Sequence, residues 1–224
     1  MSPDASTRRA RSNSHASSKR SRARRQAAAH KRRKLSRVRR AVVIGISLLV
    51  GLAIGYGVAN RDELGETIRE VTLPLRHDDI IRQQADEKDV PADLIAAVIH
   101  VESKFRDQTS HAGARGLMQI TPATAAEIEK LSGGETFEFG DLADPDINIR
   151  YGTFYLDYLL ELYDDNEVAA IAAYNAGPTA VAEWGGAGTE LEGIGFQETR
   201  DYVEKVLDKR EEYREHYADA LGLD

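Results

Sequence analysis

From residue 77 onward, apolar positions recur three and four residues apart, which predicts helices and supports no real sheet. The predicted helices span 78–88, 91–103, 121–131, 145–164, 166–175, 178–184 and 198–217. Four of the six prolines stand where one of these helices begins, as expected because the first N–H of a helix has no partner within it. Thr121 and Asp144 precede two of those prolines and are suitable N-caps. The intervening loops 104–120, 132–143 and 185–197 are long enough to form a groove, and TFEF at 136–139 is a candidate short strand.

The apolar pattern differs between Ala41 and Ala59, where AVVIGISLLVGLAIGYGVA runs for 19 residues without a charge. A helix of this length rises about 28 Å, at about 1.5 Å per residue, which is enough to cross the hydrocarbon core of a bilayer. The basic residues before it end abruptly at Arg40, so we expect a single-pass protein with a cytoplasmic N-terminus and the chain after Arg61 outside. The alternative is a cleaved signal peptide ending near residues 57–59, but the preceding basic segment is far longer than usual.

Charge divides the chain into parts that face different partners. Residues 1–40 contain 15 Lys/Arg and one acid, and subtraction from the totals of 30 basic and 37 acidic residues leaves 15 and 36 for residues 41–224. The basic segment has almost no large apolar side chain, so we expect a disordered cytoplasmic tail that contacts anionic lipid at the membrane. Nucleic acid is not expected as a partner, because no aromatic residue interleaves the basic ones.

Together these patterns predict an all-α domain behind a membrane anchor. The predicted segments are a basic tail at 1–40, a transmembrane helix at 41–59, a linker at 60–76, a helical domain at 77–217 and a C-terminal tail at 218–224. The absence of cysteine excludes disulfides, a thiolate nucleophile and cysteine-ligated metal sites. His77, His100 and His111 form no metal-binding pattern, so neither a metal nor another cofactor is expected.

One acid stands on the apolar stripe of a predicted helix. Glu102 follows Val98 by four residues and Ile95 by seven, and therefore shares their face of the helix. Burial of an ionised carboxylate is costly, so desolvation is expected to raise the pKa of Glu102 and keep it protonated near neutral pH. That protonation state suits a general acid. A structural glutamate at a helix end, bound to backbone or to an arginine, is the alternative that position alone favours.

Five short segments stand in order along the predicted domain: VESKF at 101–105, GARGLMQITPATA at 113–125, DPDINIRYGTFYL at 144–156, AAYNAGPTAV at 172–181 and FQETRDYVEKV at 196–206. Together they resemble the soluble lytic transglycosylase family, which has a goose-type lysozyme-like fold, with Glu102-Ser103 matching the catalytic Glu-Ser of that family. The order and spacing agree over roughly 78–210, whereas the first 76 residues lie outside the resemblance. The chain departs from the family at GIGF, 193–196, where many members have a proline before the aromatic residue.

The resemblance implies cleavage of the β-1,4 bond between N-acetylmuramic acid and N-acetylglucosamine in the peptidoglycan of a bacterial cell. Glu102 is implied to protonate the glycosidic oxygen and then, as a base, to take the proton of the muramic C6 hydroxyl, which leaves an anhydro-muramic end. The resemblance favours a single acid/base, with the N-acetyl group of the substrate assisting. Asp93 is predicted to point away from Glu102, whereas Asp107, Glu198 and Asp201 stay possible partners. The alternatives are a muramidase, in which water attacks, and a catalytically silent peptidoglycan-binding protein.

The resemblance also implies a set of residues that bind the glycan strand around the acid: Ser103, Met118, Gln119, Tyr174, Asn175, Glu198 and Tyr202. Several of them also have ordinary structural roles. A serine at a helix end commonly serves as a cap, and for Ser103 the two roles weigh evenly. Met118 by itself is more often a core residue, and Asn175 stands where a C-terminal cap is expected. Glu198 is equally suited to the N-terminus of a helix, where the dipole favours an acid.

Overall fold

The computed structural model describes residues 42–53, 55–56, 61–133 and 138–223 (for 61–64 and 67 the backbone only), and the chain divides into two compact units, Met1–Gly65 and Glu66–Asp224. In the first unit, residues 42–53 and 55–56 are helical and are called α1. Among the described residues, no helix combines the length and the apolar character needed to cross a membrane. The transmembrane prediction for 41–59 falls partly, and the basic tail wholly, outside the described residues.

The rest of the chain is built from helices joined by loops. The helices are α2 Arg61–Thr72, α3 Asp78–Lys88, α4 Ala92–Ser103, α5 Pro122–Ser132, α6 Pro145–Leu162, α7 Glu167–Ala176, α8 Pro178–Trp184 and α9 Gln197–Leu221. Short 3-10 turns lie at Phe139–Ala143, Gly186–Gly188 and Leu191–Gly193. Within the described ranges, β-structure is limited to isolated bridges, Thr109–Arg115 and Arg115–Ile120. The all-α prediction is therefore confirmed for these residues, and the candidate strand is wrong at Phe139, which begins a 3-10 turn.

The helix starts follow local capping chemistry. Thr121 and Asp144 each accept a backbone N–H of the first turn through a side-chain oxygen, at 3.1 and 2.9 Å, as predicted. Asn166 caps α7 in the same way, at 3.2 Å, so this helix begins one residue later than its apolar pattern indicates. Pro91 is the N-cap of α4 and not its first residue. Each of these two helices therefore begins one residue after its predicted start.

The segment before the predicted domain is attached to α9 by long-range hydrogen bonds. The Tyr213 hydroxyl donates to the carbonyl of Pro74 at 2.6 Å, and the Tyr217 hydroxyl donates to the carbonyl of Leu73 at 2.9 Å. Part of the predicted linker 60–76 is helical, and α9 runs to Leu221 with a kink at Tyr217, the residue at which the sequence predicts its end. The compact unit therefore includes chain that composition alone suggests to be a linker.

The core of the second unit is organised around α4, which is buried along nearly its whole length and packs on α9. At the start of α4, Asp93 is 1% exposed and its carboxylate binds Arg210 at 3.1 Å and Arg214 at 2.7 Å, both from α9. Arg210 also pairs with Glu167 of α7. A buried carboxylate requires such partners. This ion cluster fixes one end of the α4–α9 pair, and the other end carries Glu102.

Candidate active site

Glu102 lies in the last turn of α4, half-buried, and its Oε1 accepts a hydrogen bond from the Tyr202 hydroxyl of α9 at 2.6 Å. The chain then turns sharply. Lys104 and Phe105, directly after the helix, have φ of 54° and 58°. Two consecutive non-glycine residues in the left-handed region are strained, and such strain persists only where the surrounding structure imposes it. Here the buried ring of Phe105, 2% exposed, holds the turn in the core and leaves the carboxylate at the helix end.

Burial raises the pKa of Glu102 from 4.5 to about 7, and the Tyr202 hydrogen bond, which favours the ionised form, opposes that rise. The expectation of a desolvated acid is met by this geometry. The partner of the carboxylate is a tyrosine hydroxyl and not an arginine. A carboxyl group that titrates near pH 7 is matched to both proton donation and proton removal at neutral pH.

Asp93 is not available as a second carboxylate for the chemistry. Its two oxygens are bound by Arg210 and Arg214, and it lies nine residues from Glu102, about 13 Å along the helix axis at about 1.5 Å per residue. Asp107 and Glu198 have exposed side chains. The pKa of Glu102 is shifted by burial and by the Tyr202 hydroxyl, and no second carboxylate is among the causes of that shift. The described residues contain no group of three or more His, Asp or Glu arranged to hold a metal ion.

Tyr174, at the end of α7, lies close to Glu102 and donates its hydroxyl to the backbone carbonyl of Met118 at 2.9 Å. Burial raises the pKa of Tyr174 well above 10, and the charge of Glu102 raises it further. The hydroxyl therefore keeps its proton, and that proton is directed at the main chain. Its oxygen retains lone pairs that can accept a hydrogen bond from a ligand.

The side chain of Met118 is fully buried and packs on Gly152 of α6. A Cβ at Gly152 would lie 2.3 Å from the Met118 sulfur, so the glycine provides the space for this side chain. In this structure the side chain is part of the core, and its expected place in the groove wall is not observed. A substrate contact by Met118 stays a prediction that requires the side chain to become exposed.

Two glutamines tie the 104–120 loop to the end of α4. Gln119, with a left-handed φ of 48°, donates its side-chain amide to the carbonyls of Gly116 at 2.7 Å and Gln108 at 3.0 Å. Gln108 in turn donates its amide to the carbonyl of Glu102 at 3.2 Å. A carbonyl in the last turn of a helix has no intrahelical partner, and Gln108 supplies one. Sequence reasoning did not identify Gln108, because no local pattern marks it.

The remaining predicted residues take different places. Ser103 is 3% exposed and its hydroxyl donates to the carbonyl of Ile99 at 3.1 Å, which is a helix-end bond. Asn175 is exposed and accepts the Thr199 hydroxyl at 2.8 Å, which joins the end of α7 to the start of α9. Glu198 is exposed beside it on α9. The structure thus brings Glu102, Tyr174 and Tyr202 together, whereas substrate contacts by the other residues stay predictions.

The chain is similar to a known domain family and to proteins from several bacteria. The transglycosylase SLT domain family matches residues 79–194. The soluble lytic murein transglycosylase of Escherichia coli (strain K12) is 36% identical over 163 residues, which are 69% of this chain and 25% of that protein. The membrane-bound lytic murein transglycosylase C of Glaesserella parasuis serovar 5 is 32% identical over 138 residues, 52% of this chain and 38% of that protein.

A solved structure shows the same architecture. The crystal structure of the 70 kDa soluble lytic transglycosylase of Escherichia coli superposes with a TM-score of 0.61 at 35% identity, covering 65% of this chain and 25% of that chain. This likeness confirms the all-helical, lysozyme-like fold expected from the sequence. The chain spans about a quarter of the length of the soluble relatives that it matches.

Proposed function

This chain belongs to the transglycosylase SLT family, and from that premise we propose that it is a peptidoglycan lytic transglycosylase. The proposed reaction cleaves the β-1,4 bond between N-acetylmuramic acid and N-acetylglucosamine and leaves anhydro-muramic ends. The observation that carries the proposal is Glu102, half-buried at the end of α4 with its pKa raised to about 7. The relatives named as lytic murein transglycosylases support the same activity.

In the proposed mechanism Glu102 acts twice. Its protonated carboxyl first donates a proton to the glycosidic oxygen, and the bond from that oxygen to the anomeric carbon of the muramic residue breaks. The carboxylate then takes the proton of the muramic C6 hydroxyl, whose oxygen forms the new bond to the anomeric carbon. The cycle restores the protonated acid and consumes no water. The Tyr202 hydroxyl, which donates to Oε1 at 2.6 Å, stabilises the carboxylate between the two steps.

The remaining substrate-binding residues are proposed to line the same groove. Tyr174 offers an acceptor oxygen beside the acid, and Asn175 and Glu198 offer exposed polar groups at the facing ends of α7 and α9. Gln119 holds the loop that closes the other side. We propose no cofactor, since the acid, the base and the nucleophile are supplied by Glu102 and by the substrate.

The nature of the fragment ends tests the proposal. The full chain, purified in detergent, is expected to release soluble fragments from purified peptidoglycan, and mass spectrometry is expected to find anhydro-muramic ends. Reducing ends would instead make the protein a muramidase, with water in the place of the C6 hydroxyl. Binding of peptidoglycan without release of any fragment would establish a catalytically silent binding protein and would refute the enzyme.

The hydrogen bond from Tyr202 predicts the direction of a pH shift. In the wild type, cleavage is expected to fall as the pH rises through about 7, because the acid loses its proton there. The Tyr202→Phe substitution removes a hydrogen bond that lowers the pKa of Glu102. The alkaline limb of the pH profile, where activity falls, is therefore expected to move to higher pH. The measurement is kcat/KM as a function of pH. A limb that stays in place or moves to lower pH contradicts the assignment.

Tyr163→Phe is the matched control for that experiment. The Tyr163 hydroxyl also donates a single hydrogen bond, at 3.2 Å, but to the backbone carbonyl of Pro178. Its loss removes the same group from the fold without touching Glu102. The pH limb of Tyr163→Phe is therefore expected to coincide with that of the wild type.

We also propose that the chain is anchored in the bacterial cell membrane by residues 41–59, with the basic tail 1–40 in the cytoplasm on anionic lipid and the catalytic domain outside. The support is the 19-residue uncharged stretch behind a basic segment and the exposed apolar side chains of α1, such as Val43, Leu49 and Leu52. Cell fractionation tests it. Release of the full-length chain from membranes by alkaline carbonate, or a processed N-terminus, would refute a retained anchor.

A further inference from the structure

Asn148 is a buried amide on the core face of α6, with 0% of its surface exposed. Its Oδ1 accepts the backbone N–H of Met118 at 2.7 Å. Its Nδ2 donates to the backbone carbonyls of Arg115 at 3.0 Å and Leu142 at 2.9 Å. The amide oxygen faces a donor and the amide nitrogen faces two acceptors, so only one orientation of the group satisfies all three partners.

The loop that Asn148 holds is fitted closely to it. Gly116 has a φ of 79°, in the region that favours glycine, and a Cβ there would lie 2.1 Å from Asn148 Nδ2 and 2.4 Å from the carbonyl oxygen of Leu142. Backbone and amide therefore approach more closely than any side chain at position 116 would permit. The 115–118 segment is therefore both hydrogen-bonded to Asn148 and packed directly against it.

We propose that Asn148 is a positioning residue that sets the direction of the Tyr174 hydroxyl beside Glu102. Asn148 holds the N–H of Met118, and the carbonyl of the same Met118 accepts the Tyr174 hydroxyl at 2.9 Å. The single hydroxyl proton of Tyr174 is thereby committed to the main chain. Toward the substrate, Tyr174 then presents an acceptor, which suits an N–H such as that of the acetamido group of an N-acetylated sugar.

This inference rests on the proposed function for its substrate, but its physical content is the coupling of two side chains. If Asn148 is removed, the 115–118 segment loses two hydrogen bonds, the Leu142 carbonyl loses a third, and the Met118 carbonyl is no longer fixed. The Tyr174 hydroxyl is then free to rotate and to meet the substrate as a donor. Loss of one oriented hydrogen bond corresponds to about a tenfold change in rate.

Asn166 provides a matched control within the same chain. It too accepts one backbone N–H, from Ala169 at 3.2 Å, and donates to two backbone carbonyls, those of Ala187 at 2.8 Å and Thr189 at 3.0 Å. Its bonds hold the 187–189 turn and cap the start of α7, eight residues before Tyr174, and none of them holds the Met118 peptide. Asn166→Ala therefore removes the same number and kind of hydrogen bonds as Asn148→Ala, but none of them holds the peptide that accepts the Tyr174 hydroxyl.

The test is a double-mutant cycle on the full chain in detergent, with kcat and KM for cleavage of purified peptidoglycan measured where circular dichroism shows every variant folded. Asn148→Ala is expected to lower kcat about tenfold in the wild-type background and less than about twofold in the Tyr174→Phe background. Asn166→Ala is expected to leave kcat unchanged in both. Equal losses from Asn148→Ala in the two backgrounds, or no loss at all, would overturn the proposal.

A second variant keeps the cycle decisive if Asn148→Ala does not fold. Asn148→Asp retains an oxygen that accepts the Met118 N–H, and burial beside the carbonyls of Arg115 and Leu142 keeps the new carboxyl protonated, so that its O–H donates to one of them. The same dependence on the Tyr174 hydroxyl is expected, with a smaller loss in kcat. A loss that is independent of that hydroxyl would again refute the positioning role. The two proposals fail differently. An inactive wild type refutes the proposed reaction, whereas an active wild type without coupling between Asn148 and Tyr174 refutes only the positioning role.

Discussion

The Glu102→Gln variant is expected to lose cleavage and to gain stability above pH 7, two effects of opposite sign from one carboxylate. Glutamine preserves the size of the side chain and the Oε1 that accepts the Tyr202 hydroxyl. It has no proton to donate to the glycosidic oxygen and is too weak a base to take one from the C6 hydroxyl. General acid–base catalysis contributes roughly 10²–10⁴-fold, so the initial rate of fragment release is expected to fall by about that factor.

The stability effect follows from the direction of the pKa shift. The pKa of Glu102 is about 7 in the folded chain against an ordinary 4.5, so folding favours the protonated form. This contribution is fully present below pH 4.5 and is lost as the pH rises through 7. The difference between the two pKa values corresponds to about 3 kcal/mol as an upper bound. The Glu102→Gln variant does not lose stability in this way as the pH rises, because glutamine does not titrate.

Urea unfolding at pH 4 and at pH 8.5 separates this effect from ordinary packing changes. The free energy of unfolding of Glu102→Gln is expected to match that of the wild type at pH 4 and to exceed it by up to about 3 kcal/mol at pH 8.5. A packing change would shift the two measurements equally. Equal differences at the two pH values would therefore show that Glu102 is not desolvated in the folded chain.

The sequence marks Glu102 as a local exception, a carboxylate on the apolar face of a predicted helix, and the family resemblance then favours a catalytic role over a structural one. The same reasoning applies to Asn148, which precedes Gly152 by four residues and Leu156 by eight on the buried face of α6. Both polar groups interrupt a core stripe, and both have a specific set of partners in the structure. A buried polar residue needs such partners, so the interruption itself is the signal.

The partners could not be identified from local pattern. Tyr202 is 100 residues from Glu102 in sequence, and the Tyr174 hydroxyl binds a backbone carbonyl 56 residues away. Helical periodicity reports which face of a helix is buried, but not which helix covers it. The family resemblance supplied Tyr174 and Tyr202 as candidates, and the fold supplied the contacts. Caps such as Thr121 were predictable because donor and acceptor lie within one turn.

His100, two residues before Glu102, is a second buried titratable group. Its effect on the pH dependence of stability is opposite in sign to that of Glu102. His100 is 5% exposed, and its Nδ1 lies 3.0 Å from the Tyr213 hydroxyl. Because that hydroxyl donates to the carbonyl of Pro74, the histidine nitrogen must be the donor of the other bond, which places a proton on Nδ1 in either charge state of the ring. Burial lowers the pKa of His100 from 6.5 to about 4; Lys209 lowers it further and Glu212 raises it.

The contribution of His100 to stability is present above pH 6.5 and is lost as the pH falls through about 4, a change of at most about 3 kcal/mol. Between pH 4.5 and 6.5, His100 is protonated mainly in the unfolded chain, whereas Glu102 is protonated mainly in the folded chain. The two slopes, each at most about 1.4 kcal/mol per pH unit, have opposite signs and cancel in the wild type. The titration of His100 is therefore expected to become visible only when Glu102 no longer titrates.

Comparison of Glu102→Gln with Glu102→Gln/His100→Asn across pH 4.5 to 6.5 tests this cancellation. The free energy of unfolding of the single variant is expected to rise with pH relative to the double variant, by up to about 2.7 kcal/mol over the range. Asparagine keeps an N–H donor for the Tyr213 hydroxyl, and the smaller side chain lowers stability equally at every pH, so the slope alone carries the result. A constant difference between the two variants would mean that His100 is protonated in the folded chain.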